Sequence, residues 1–418
     1  MEGDPADVIG VLRSTRQAAQ GWRLTPVPDR LRIVRRARRA IATSPKGFAS
    51  DSGTARSQAD TLVTEVLPLL EAARFLEREA ASLLAPRRLG RRGRPAWLAG
   101  VHLELRREPC GVVLIVAPGN YPLLLPGVQI LQALVAGNGV CVKPAPDCAA
   151  PMRHLAEVLR RAGLPAGVLA VLADDLAEGQ AAVRAGFDRI VLTGSAETGL
   201  DVLRAAAETL TPCTMELSGD DPVFVLPGAD PGLAAAAVAY GTRLNDGRTC
   251  IAPRRVFALA EVAPEIGLRL RQLCSKPPPV IAVRDMDEAL DRAAESPCGL
   301  GAAVFGPEAD ARALAARIDV GCVVVNDTIV PTADPRLPFG GRRRSGFGVT
   351  RGAEGLLELT VVKAIAVRRG RFRPHLDPPR KEDAAFFAAL IATLHAQGPV
   401  RFAALRAMAE SIRRRWSR

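Results

Sequence analysis

The spacing of hydrophobic residues changes along this chain and divides it into regions. Residues 61–84, TLVTEVLPLLEAARFLEREAASLL, place apolar side chains every three or four positions between charged ones, which predicts an amphipathic helix. The next segment, APRRLGRRGRPAW, is rich in proline, glycine and arginine, and we expect it to end that helix. Residues 1 to about 85 are therefore predicted to be helical.

From residue 102 to about residue 225, strand-like and helix-like segments alternate. The run HLELRREP at residues 102–109 alternates like an exposed strand. The runs GVVLIVAP at residues 111–118 and GVCVKPAP at residues 139–146 are continuously apolar, as strands buried on both faces of a parallel sheet are. Helical segments and two further strands follow. The pattern predicts an α/β fold whose ligands bind at the carboxyl ends of the strands.

Composition narrows the class of protein. The chain has 418 residues, of which 48% are hydrophobic and 24% charged, as in soluble globular proteins of two or three structural units. The start, MEGDPADVIGVLRS, does not resemble a signal peptide, and no run is long and apolar enough to predict a membrane span. Eight scattered cysteines without metal-ligand spacing predict neither a disulfide framework nor a metal site, and favour a cytoplasmic protein.

The positive charge is confined to one part of the chain. The formal net charge is +12, and residues 342–418 contain 17 Lys or Arg against 6 Asp or Glu. The rest is close to neutral, so no nucleic-acid partner is expected. We interpret the basic tail as a solvated face in preference to a nucleic-acid or acidic-membrane contact. Its two amphipathic segments, AAFFAALIATLHAQG and FAALRAMAESIRRRW, are expected to pack as helices on the protein's own surface.

Three polar residues are candidates for chemistry, each with an ordinary alternative. Cys250, in NDGRTCIAP, lies between a glycine-bearing turn and an apolar step, and is either a nucleophile or a buried thiol. Glu216, in TMELSGDDP, has apolar neighbours that could raise its pKa toward that of a general base, unless it lies at a strand edge. Asn120, in APGNYP, could present its amide to an oxyanion or simply form a turn.

A second group of residues suits a phosphate or a ribose. The segment TGSAETG carries Gly194, Ser195 and Gly199 into a helix N-terminus, where free N–H groups and the helix dipole favour an anion. Glycine and serine are also ordinary residues at helix starts. Lys143, at the end of a predicted strand, could reach a ribose or phosphate, or remain solvated.

Five ordered blocks resemble the successive signatures of the aldehyde dehydrogenase superfamily, and the NYP and CIAP variants resemble its class 3 branch. The blocks are GVVLIVAPGNYPLLLPGVQILQALVAGNGVCVKPAP, FDRIVLTGSAETG, LTPCTMELSGDDPVFV, LNDGRTCIAPRRV and LPFGGRRRSGFGVTRGAEGL. The resemblance covers most of residues 1–369. It implies a Rossmann-like, parallel-sheet cofactor domain, a smaller α/β catalytic domain and a bridging strand element.

The resemblance also implies where the domains of this chain begin and end. N-terminal helices and the NAD(P)-binding domain would occupy residues 1–217, with a bridging hairpin near 96–110. A truncated catalytic domain would follow at 218–350, a bridging or oligomerisation strand at 351–369, and a basic helical extension at 370–418. An added edge strand must be paired or covered, so a homodimer or a higher homo-oligomer is expected.

Catalytic roles follow from the resemblance. Cys250 would attack the aldehyde carbon as a thiolate, and Asn120 with the Cys250 backbone N–H would hold the oxyanion. Glu216 would activate the water that hydrolyses the thioester. The implied activity is oxidation of a small-molecule aldehyde to a carboxylic acid through a cysteine thiohemiacetal and thioester, with NAD or NADP as cofactor.

Cofactor roles can be assigned in the same way. Lys143 would bind the adenosine ribose, and Gly194 with Ser195 would cover the pyrophosphate. The family's usual glutamate three residues after this lysine is Pro146 here, and its usual lysine after the Glu-Leu-Gly-Gly run is Asp220. Without that glutamate, a charge that would repel a 2′-phosphate is lost, so NAD and NADP both stay open.

One family segment is absent from this chain. LCSKPPPVIAVRDMDEAL follows the cysteine too soon, so the Glu-Ile-Phe-Gly-Pro motif, whose glutamate grips the nicotinamide ribose, and several dozen residues before it are missing. A catalytically impaired homologue that acts as a binding or assembly protein is therefore an alternative function. An acylating enzyme that uses coenzyme A or phosphate is another, although the retention of Glu216 argues against it.

Overall fold

The computed structural model describes residues 7–50, 56–371, 373–376, 378, 380 and 383–416. The chain divides into two compact units, one of Met1–Arg88 with Glu104–Ile365 and one of Leu89–Leu103 with Ala366–Arg418. Residues 1–6 and 51–55 of the predicted domain 1–217 lie outside the described residues, as do residues 372, 377, 379, 381, 382, 417 and 418 of the predicted extension 370–418.

The N-terminal part is helical, as the periodicity predicted. Its helices are α1 (Val8–Trp22), α2 (Val27–Thr43), α3 (Pro45–Ser50), α4 (Gln58–Thr61) and α5 (Leu67–Leu83). A π-helical turn, Leu62–Val66, joins α4 to α5 and interrupts the predicted helix 61–84. Such a turn adds one residue to the helix, and turns of this kind are frequent at functional sites.

A strand and helix alternation follows. Its elements are β1 (Arg87–Leu89), β2 (Val101–Pro109), β3 (Val112–Val116), α6 (Leu124–Ala136), β4 (Gly139–Lys143), α7 (Ala149–Arg161), β5 (Leu169–Val171), α8 (Leu176–Arg184), β6 (Arg189–Gly194), α9 (Ala196–Thr209) and β7 (Cys213–Leu217). The buried strands β3 and β4 are the two continuous apolar runs of the sequence, as expected for a sheet covered by helices on both faces.

The remaining elements form a second sheet and the C-terminal part. They are β8 (Asp221–Val225), α10 (Pro231–Arg243), β9 (Pro253–Leu259), α11 (Ala263–Leu273), β10 (Val280–Val283), α12 (Met286–Ala294), β11 (Cys298–Gly299), β12 (Gly301–Phe305), α13 (Glu308–Ala315), β13 (Cys322–Val325), β14 (Arg342–Arg343), β15 (Gly346–Phe347), α14 (Gly352–Glu358), β16 (Thr360–Arg368), α15 (Asp383–His395) and α16 (Gly398–Trp416). Short 3₁₀ helices cover Ala96–Leu98, Leu244–Gly247, Val330–Ala333 and Pro374–Leu376.

The first sheet has the strand order β15-β7-β6-β3-β4-β5 and is parallel except for β15. Val116 at the end of β3 is in register with Lys143 at the end of β4 and with Leu192 near the end of β6. The carboxyl ends of these strands therefore meet at one edge of the sheet. This edge carries the turn with Asn120, the side chain of Lys143 and the start of α9.

The second sheet has the order β10-β9-β8-β12-β13 and all its described pairs are parallel. Only six residues, 274–279, connect α11 to β10, at the place where the sequence indicates a missing segment. Strand β10 nevertheless pairs with β9 over four residues, from Val280 with Val256 to Val283 with Leu259. The shortened chain thus still forms a continuous five-stranded sheet.

The C-terminal part contains one strand with helices on either side of it. Of residues 351–369, predicted as a bridging strand, Gly352–Glu358 form helix α14 and Thr360–Arg368 form β16, which belongs to a sheet of order β1-β2-β16. The two predicted amphipathic segments are α15 and α16. Over the parts of the chain that the structure covers, we find no helix with the length and apolar character needed to cross a membrane.

Candidate active site

Cys250 follows a tight left-handed turn between α10 and β9. Asn245 and Asp246 each have φ of 52°, and Gly247 has φ of 68°. Non-glycine residues in this region carry backbone strain, which is typical of functional sites and is tolerated where surrounding contacts fix it. The turn places Cys250 half-buried, three residues before the start of β9.

Asn120 and the cysteine turn hold each other through reciprocal hydrogen bonds. The Asn120 Nδ2 donates to the carbonyl of Arg248 at 2.9 Å, and the Asn245 Nδ2 donates to the carbonyl of Asn120 at 2.8 Å. The hydroxyls of Tyr121 and Thr249 are 2.7 Å apart, next to Cys250. A side-chain amide nitrogen carries two N–H groups. One N–H of Asn120 donates to the Arg248 carbonyl, and the other can donate a hydrogen bond to a ligand.

Glu216 is a buried carboxyl at the carboxyl end of β7, with 2% of its surface exposed. Its Oε2 lies 2.8 Å from the Thr350 hydroxyl, and its Oε1 is buried without a hydrogen-bond partner. Burial raises the pKa of Glu216, while the charge of Arg351 and the Thr350 hydrogen bond act in the opposite direction. Glu216 is therefore not a surface glutamate at a strand edge, and its neutral form is stabilised up to higher pH than usual.

Thr350 also lies 3.1 Å from the carbonyl of Phe339. Because a hydroxyl has one proton, it cannot donate fully to both this carbonyl and Glu216. With Glu216 ionised, the hydroxyl donates to the carboxylate; with Glu216 protonated, the carboxyl can donate to Thr350, which then donates to Phe339. The site thus accommodates both protonation states of Glu216.

Cys250 and Glu216 line the same cavity, of about 170 Å³. The Arg351 side chain lies there as well, with its guanidinium 4.5 Å from the centre of the Phe339 ring. Burial raises the pKa of the Cys250 thiol, and the charges of Glu216 and Asp221 raise it further, against Arg351 and the Ile251 N–H. The thiol is therefore in its protonated form in this state, and a nearby base is needed to ionise it.

Glu65 supports the site from the π-helical turn and was not predicted from the sequence as a site residue. Glu65 is fully buried and accepts hydrogen bonds from the N–H groups of Leu123 and Leu124 at 2.7 and 3.0 Å. It also pairs with Arg56, whose guanidinium lies 4.8 Å from the centre of the Tyr121 ring. This carboxylate fixes the turn that carries Asn120. The signal in the sequence was a charged residue among apolar positions in TLVTEVLPLL.

The residues proposed for the cofactor lie at the carboxyl edge of the first sheet. Ser195 caps α9 by accepting a hydrogen bond from the Thr198 N–H at 3.2 Å. Gly199 packs so closely on Leu217 that a Cβ would lie 2.8 Å from a leucine methyl carbon. This glycine lets α9 approach β7, while Gly194 and Ser195 lead into the N-terminus of α9, which fits a phosphate group.

Lys143 lies in an acidic environment that the sequence did not predict. It is largely buried, and its Nζ donates to the carbonyl of Asp174 at 3.1 Å. Burial lowers the pKa of Lys143, while the carboxylates of Asp175, Asp174 and Glu178 raise it. One oxygen of Glu178, Oε2, is buried without a partner. These acids come from the start of α8 and the loop before it, not from the exposed turn after β4 that contains Pro146.

Within the described ranges, no group of three or more His, Cys, Asp or Glu side chains is placed to hold a metal ion.

Asp220 stands at the position where the family usually has a lysine. Its carboxylate forms an ion pair with the Arg255 guanidinium at 3.2 Å. This aspartate is therefore part of the second sheet's own contacts.

A parallel sheet of nucleotide-binding type, a second parallel sheet, and a cavity with a thiol and a buried carboxyl define an α/β protein of the aldehyde dehydrogenase fold. The sequence model described as the aldehyde dehydrogenase family matches residues 1–277 and 278–365. The chain therefore belongs to the aldehyde dehydrogenase family. The two matched pieces meet between residues 277 and 278, next to the indicated gap.

The chain is similar to curated and solved members. It is 26% identical over 440 aligned positions to the 4,4′-diapolycopene aldehyde oxidase of a Methylomonas species, covering 88% of this chain and 83% of that protein. This alignment is longer than the chain itself, which has 418 residues, so the relative contains residues absent here.

Solved structures share the fold. A Mycobacterium tuberculosis aldehyde dehydrogenase complexed with NAD⁺ has a TM-score of 0.82 and 22% identity, covering 89% of this chain and 92% of that one. An Escherichia coli NADP-dependent enzyme has a TM-score of 0.80 and 18% identity, covering 88% of this chain and 91% of that one. The predicted α/β, aldehyde-dehydrogenase-like fold is confirmed.

Proposed function

We propose that this protein oxidises an aldehyde to a carboxylic acid with NAD or NADP, using Cys250 as the nucleophile. The observation that carries the proposal is the cavity shared by the Cys250 thiol and the buried carboxyl of Glu216. A nucleophile and a general base in one cavity are what attack on the aldehyde and hydrolysis of the thioester require.

The chemistry follows from the contacts of these residues. The Cys250 sulfur attacks the carbonyl carbon, and the carboxylate of Glu216 is available in the same cavity to take the thiol proton. The free N–H of Asn120, whose other N–H is held by Arg248, stabilises the oxyanion of the thiohemiacetal. The bound cofactor supplies the acceptor for the hydride. Glu216 then releases the thiol proton to solvent and, as a carboxylate again, takes a proton from the water that attacks the thioester. The C–S bond breaks, the acid leaves, and this proton returns to the Cys250 sulfur.

The carboxyl edge of the first sheet would hold the cofactor. The N-terminus of α9, with Gly194, Ser195 and the close packing at Gly199, suits the pyrophosphate, and Lys143 suits the adenosine ribose. The glutamate that the family uses for the nicotinamide ribose has no counterpart, so this end of the cofactor would be held more loosely.

We expect NAD to bind at least tenfold more tightly than NADP. A 2′-phosphate near Lys143 would meet the negative charges of Asp174, Asp175 and Glu178, which repel it. The change Glu178→Gln should reduce the NAD preference about threefold or more by removing one charge. The measurement is the dissociation constant of each cofactor and the melting-temperature shift with 2′,5′-ADP against 5′-AMP. Both measurements are made at alkaline pH. Burial raises the pKa of Glu178, and its carboxyl must be ionised to repel the phosphate.

The matched control for this cofactor test is Glu208→Gln, at an exposed position near the other end of α9. It removes the same charge but should leave the NAD to NADP ratio unchanged. Equal binding of both cofactors by the unaltered protein, or an equal response to both substitutions, would refute the role of the acidic environment.

The proposed activity is tested by NADH or NADPH formation from a panel of aliphatic and aromatic aldehydes, combined with cofactor-dependent shifts in melting temperature. Turnover with carboxylic acid as the product supports the proposal. The missing segment favours one competing function, a catalytically impaired member kept as a binding or assembly protein. Cofactor binding without turnover of any aldehyde would favour that function.

We also propose that the protein is a cytoplasmic homodimer or higher homo-oligomer. Strand β16 lies at an edge of its sheet and exposes Val361, Val362 and Val367. Apolar edge strands of this kind are normally paired or covered. The eight cysteines are all unpaired, as in proteins of a reducing compartment.

A further inference from the structure

The second compact unit carries almost all of the excess positive charge of the chain. Its segments Leu89–Leu103 and Ala366–Arg418 contain 15 Lys or Arg against 4 Asp or Glu, a net charge of +11 out of +12. The rest of the chain is close to neutral. A charge of this density attracts anionic partners, of which nucleic acids and acidic membranes are the common ones.

The C-terminal end of this unit is a pair of helices, α15 and α16, that pack on each other; we call the pair the C-terminal hairpin. Among their described side chains, the buried ones are small or polar, namely Asp383, Ala389, Thr393 and Ala404. Small residues let two helices approach closely but remove little apolar area from water. The packing of the hairpin therefore leaves its large apolar side chains outside.

These large side chains lie on the outer sides of the C-terminal hairpin. Six of them are between 39% and 70% exposed: Phe387, Ile391 and Leu394 on α15, and Phe402, Leu405 and Ile412 on α16. The three on each helix lie on one side of it, since spacings of three, four and seven residues return to the same face. Helices in water normally turn such a face toward their neighbours, so this arrangement indicates a partner for the outer sides.

Exposed arginines border the apolar side of α16. Arg406 and Arg413 each follow an outward apolar residue by one position, and Arg401 precedes Phe402 by one. At 100° per residue, these side chains lie next to the apolar side and not opposite it. Arginine can lay its hydrocarbon stem on apolar surface and keep its guanidinium among polar groups. The outer side of α16 thus offers hydrocarbon and positive charge together.

An acidic membrane matches both features. Its head groups are negatively charged, and its acyl chains take up exposed aliphatic and aromatic side chains. A nucleic acid would meet the arginines but leave Ile391 and Leu394 in water, because its contacts are mainly to phosphates and sugars. The 13 residues of α15 extend about 20 Å, which is shorter than the roughly 30 Å hydrocarbon core of a bilayer. The hairpin therefore fits the surface of a membrane.

We propose that the C-terminal hairpin binds the surface of membranes that contain anionic lipid and holds the protein there without crossing the bilayer. The outward side chains of α15 and α16 enter the boundary between head groups and acyl chains, and the arginines contact head-group phosphates. The sequence alone favoured a solvated face for this region, and the exposed apolar residues change that assignment. The inference does not depend on the proposed aldehyde oxidation.

The test is co-sedimentation of the full chain with vesicles of phosphatidylcholine alone, and with vesicles of phosphatidylcholine and phosphatidylglycerol in a ratio of about three to one. We expect at least tenfold tighter binding to the anionic vesicles at about 0.1 M salt. Binding should weaken at least tenfold at about 0.5 M salt, where charges are screened over shorter distances. Binding to neither type of vesicle, or equal binding to both, would overturn the proposal.

Two double substitutions separate the apolar contribution from the charge. Ile391→Ser with Phe402→Ser should weaken binding to anionic vesicles at least tenfold, because two side chains that enter the lipid are removed. Arg406→Gln with Arg413→Gln should weaken it at least fivefold and reduce its salt dependence. All four residues are exposed, so the melting temperature should stay within a few degrees of that of the unaltered protein.

Matched controls lie in the first compact unit. Leu233→Ser with Leu268→Ser removes two exposed apolar side chains from α10 and α11, and Arg13→Gln with Arg39→Gln removes two exposed charges from α1 and α2. Each control should change vesicle binding less than twofold. If a control weakened binding as much as the corresponding hairpin variant, the assignment to the C-terminal hairpin would be wrong.

Two other partners give distinct outcomes. Binding of a DNA duplex without binding of vesicles would make the unit a nucleic-acid contact. If Ile391→Ser with Phe402→Ser dissociated an oligomer in light scattering, and the unaltered protein did not bind vesicles, the hairpin would be an interface between copies of this chain. Either result would overturn the proposal. Aldehyde turnover is measured without vesicles, so the two proposals stand or fail separately.

Discussion

Substitution of Cys250 by alanine is expected to abolish aldehyde oxidation, with kcat lowered by about 10⁴-fold or more. The thiol forms the covalent intermediate, and loss of a nucleophile removes the whole pathway instead of slowing one step. Cys250 is half-buried, and the substitution removes a single atom, so melting temperature should change little. The measurement is the rate of NADH formation by the Cys250→Ala variant and by the unaltered protein. Melting curves are recorded for both proteins.

The control for this substitution is Cys298→Ala, since Cys298 is also half-buried and unpaired but lies in β11. This variant should keep at least half of the activity. Comparable loss in both variants would indicate damage to folding instead of loss of a nucleophile. Full activity of Cys250→Ala would rule out the proposed mechanism.

The same cysteine can be followed without turnover, through its alkylation by iodoacetamide and mass spectrometry. Only the thiolate reacts, and burial together with Glu216 and Asp221 raises the pKa of Cys250. Its labelling rate in the protein without cofactor should therefore keep rising with pH beyond the range where an ordinary thiol levels off. A plateau near neutral pH would show that the thiol is already ionised.

Substitution of Glu216 by glutamine should lower kcat by about 10²- to 10⁴-fold, the usual contribution of a general base. Glutamine has the same shape, and its carbonyl oxygen can still accept the Thr350 hydrogen bond, so the cavity should persist. If Glu216 acts mainly on water, the first turnover should survive. Rapid-mixing experiments should then show a burst of one NADH per site, followed by slow hydrolysis of the thioester.

The pH dependence supplies a second readout for Glu216. Only the carboxylate can take a proton from water, so kcat should rise as pH increases through the raised pKa of Glu216. Thr350→Val removes a hydrogen bond that favours the carboxylate and should shift this rise to higher pH. An unchanged kcat in Glu216→Gln would contradict the hydrolytic role. If coenzyme A or phosphate accepted the acyl group from the thioester and so restored turnover after the burst, the result would favour an acylating enzyme.

The sequence by itself determined the fold class and the family. Continuous apolar runs predicted β3 and β4, three- and four-residue spacing predicted the helix at 61–84, and ordered motifs indicated the family. These signals are readable because they lie in short stretches, where the spacing of side chains reflects local backbone geometry. The same stretches contain Cys250, Glu216 and Asn120, and the short connection between α11 and β10 was also visible as a gap in the motif order.

Only the tertiary structure decided which of these residues lie in contact with distant parts of the chain. The Asn120 bond to Arg248 joins positions 128 residues apart, and the Thr350 contact with Glu216 joins positions 134 apart. No local pattern encodes such pairs, because they depend on how separate strands and helices pack. For the same physical reason, the cavity shared by Cys250 and Glu216 and the acids around Lys143 became evident only when distant segments were brought together.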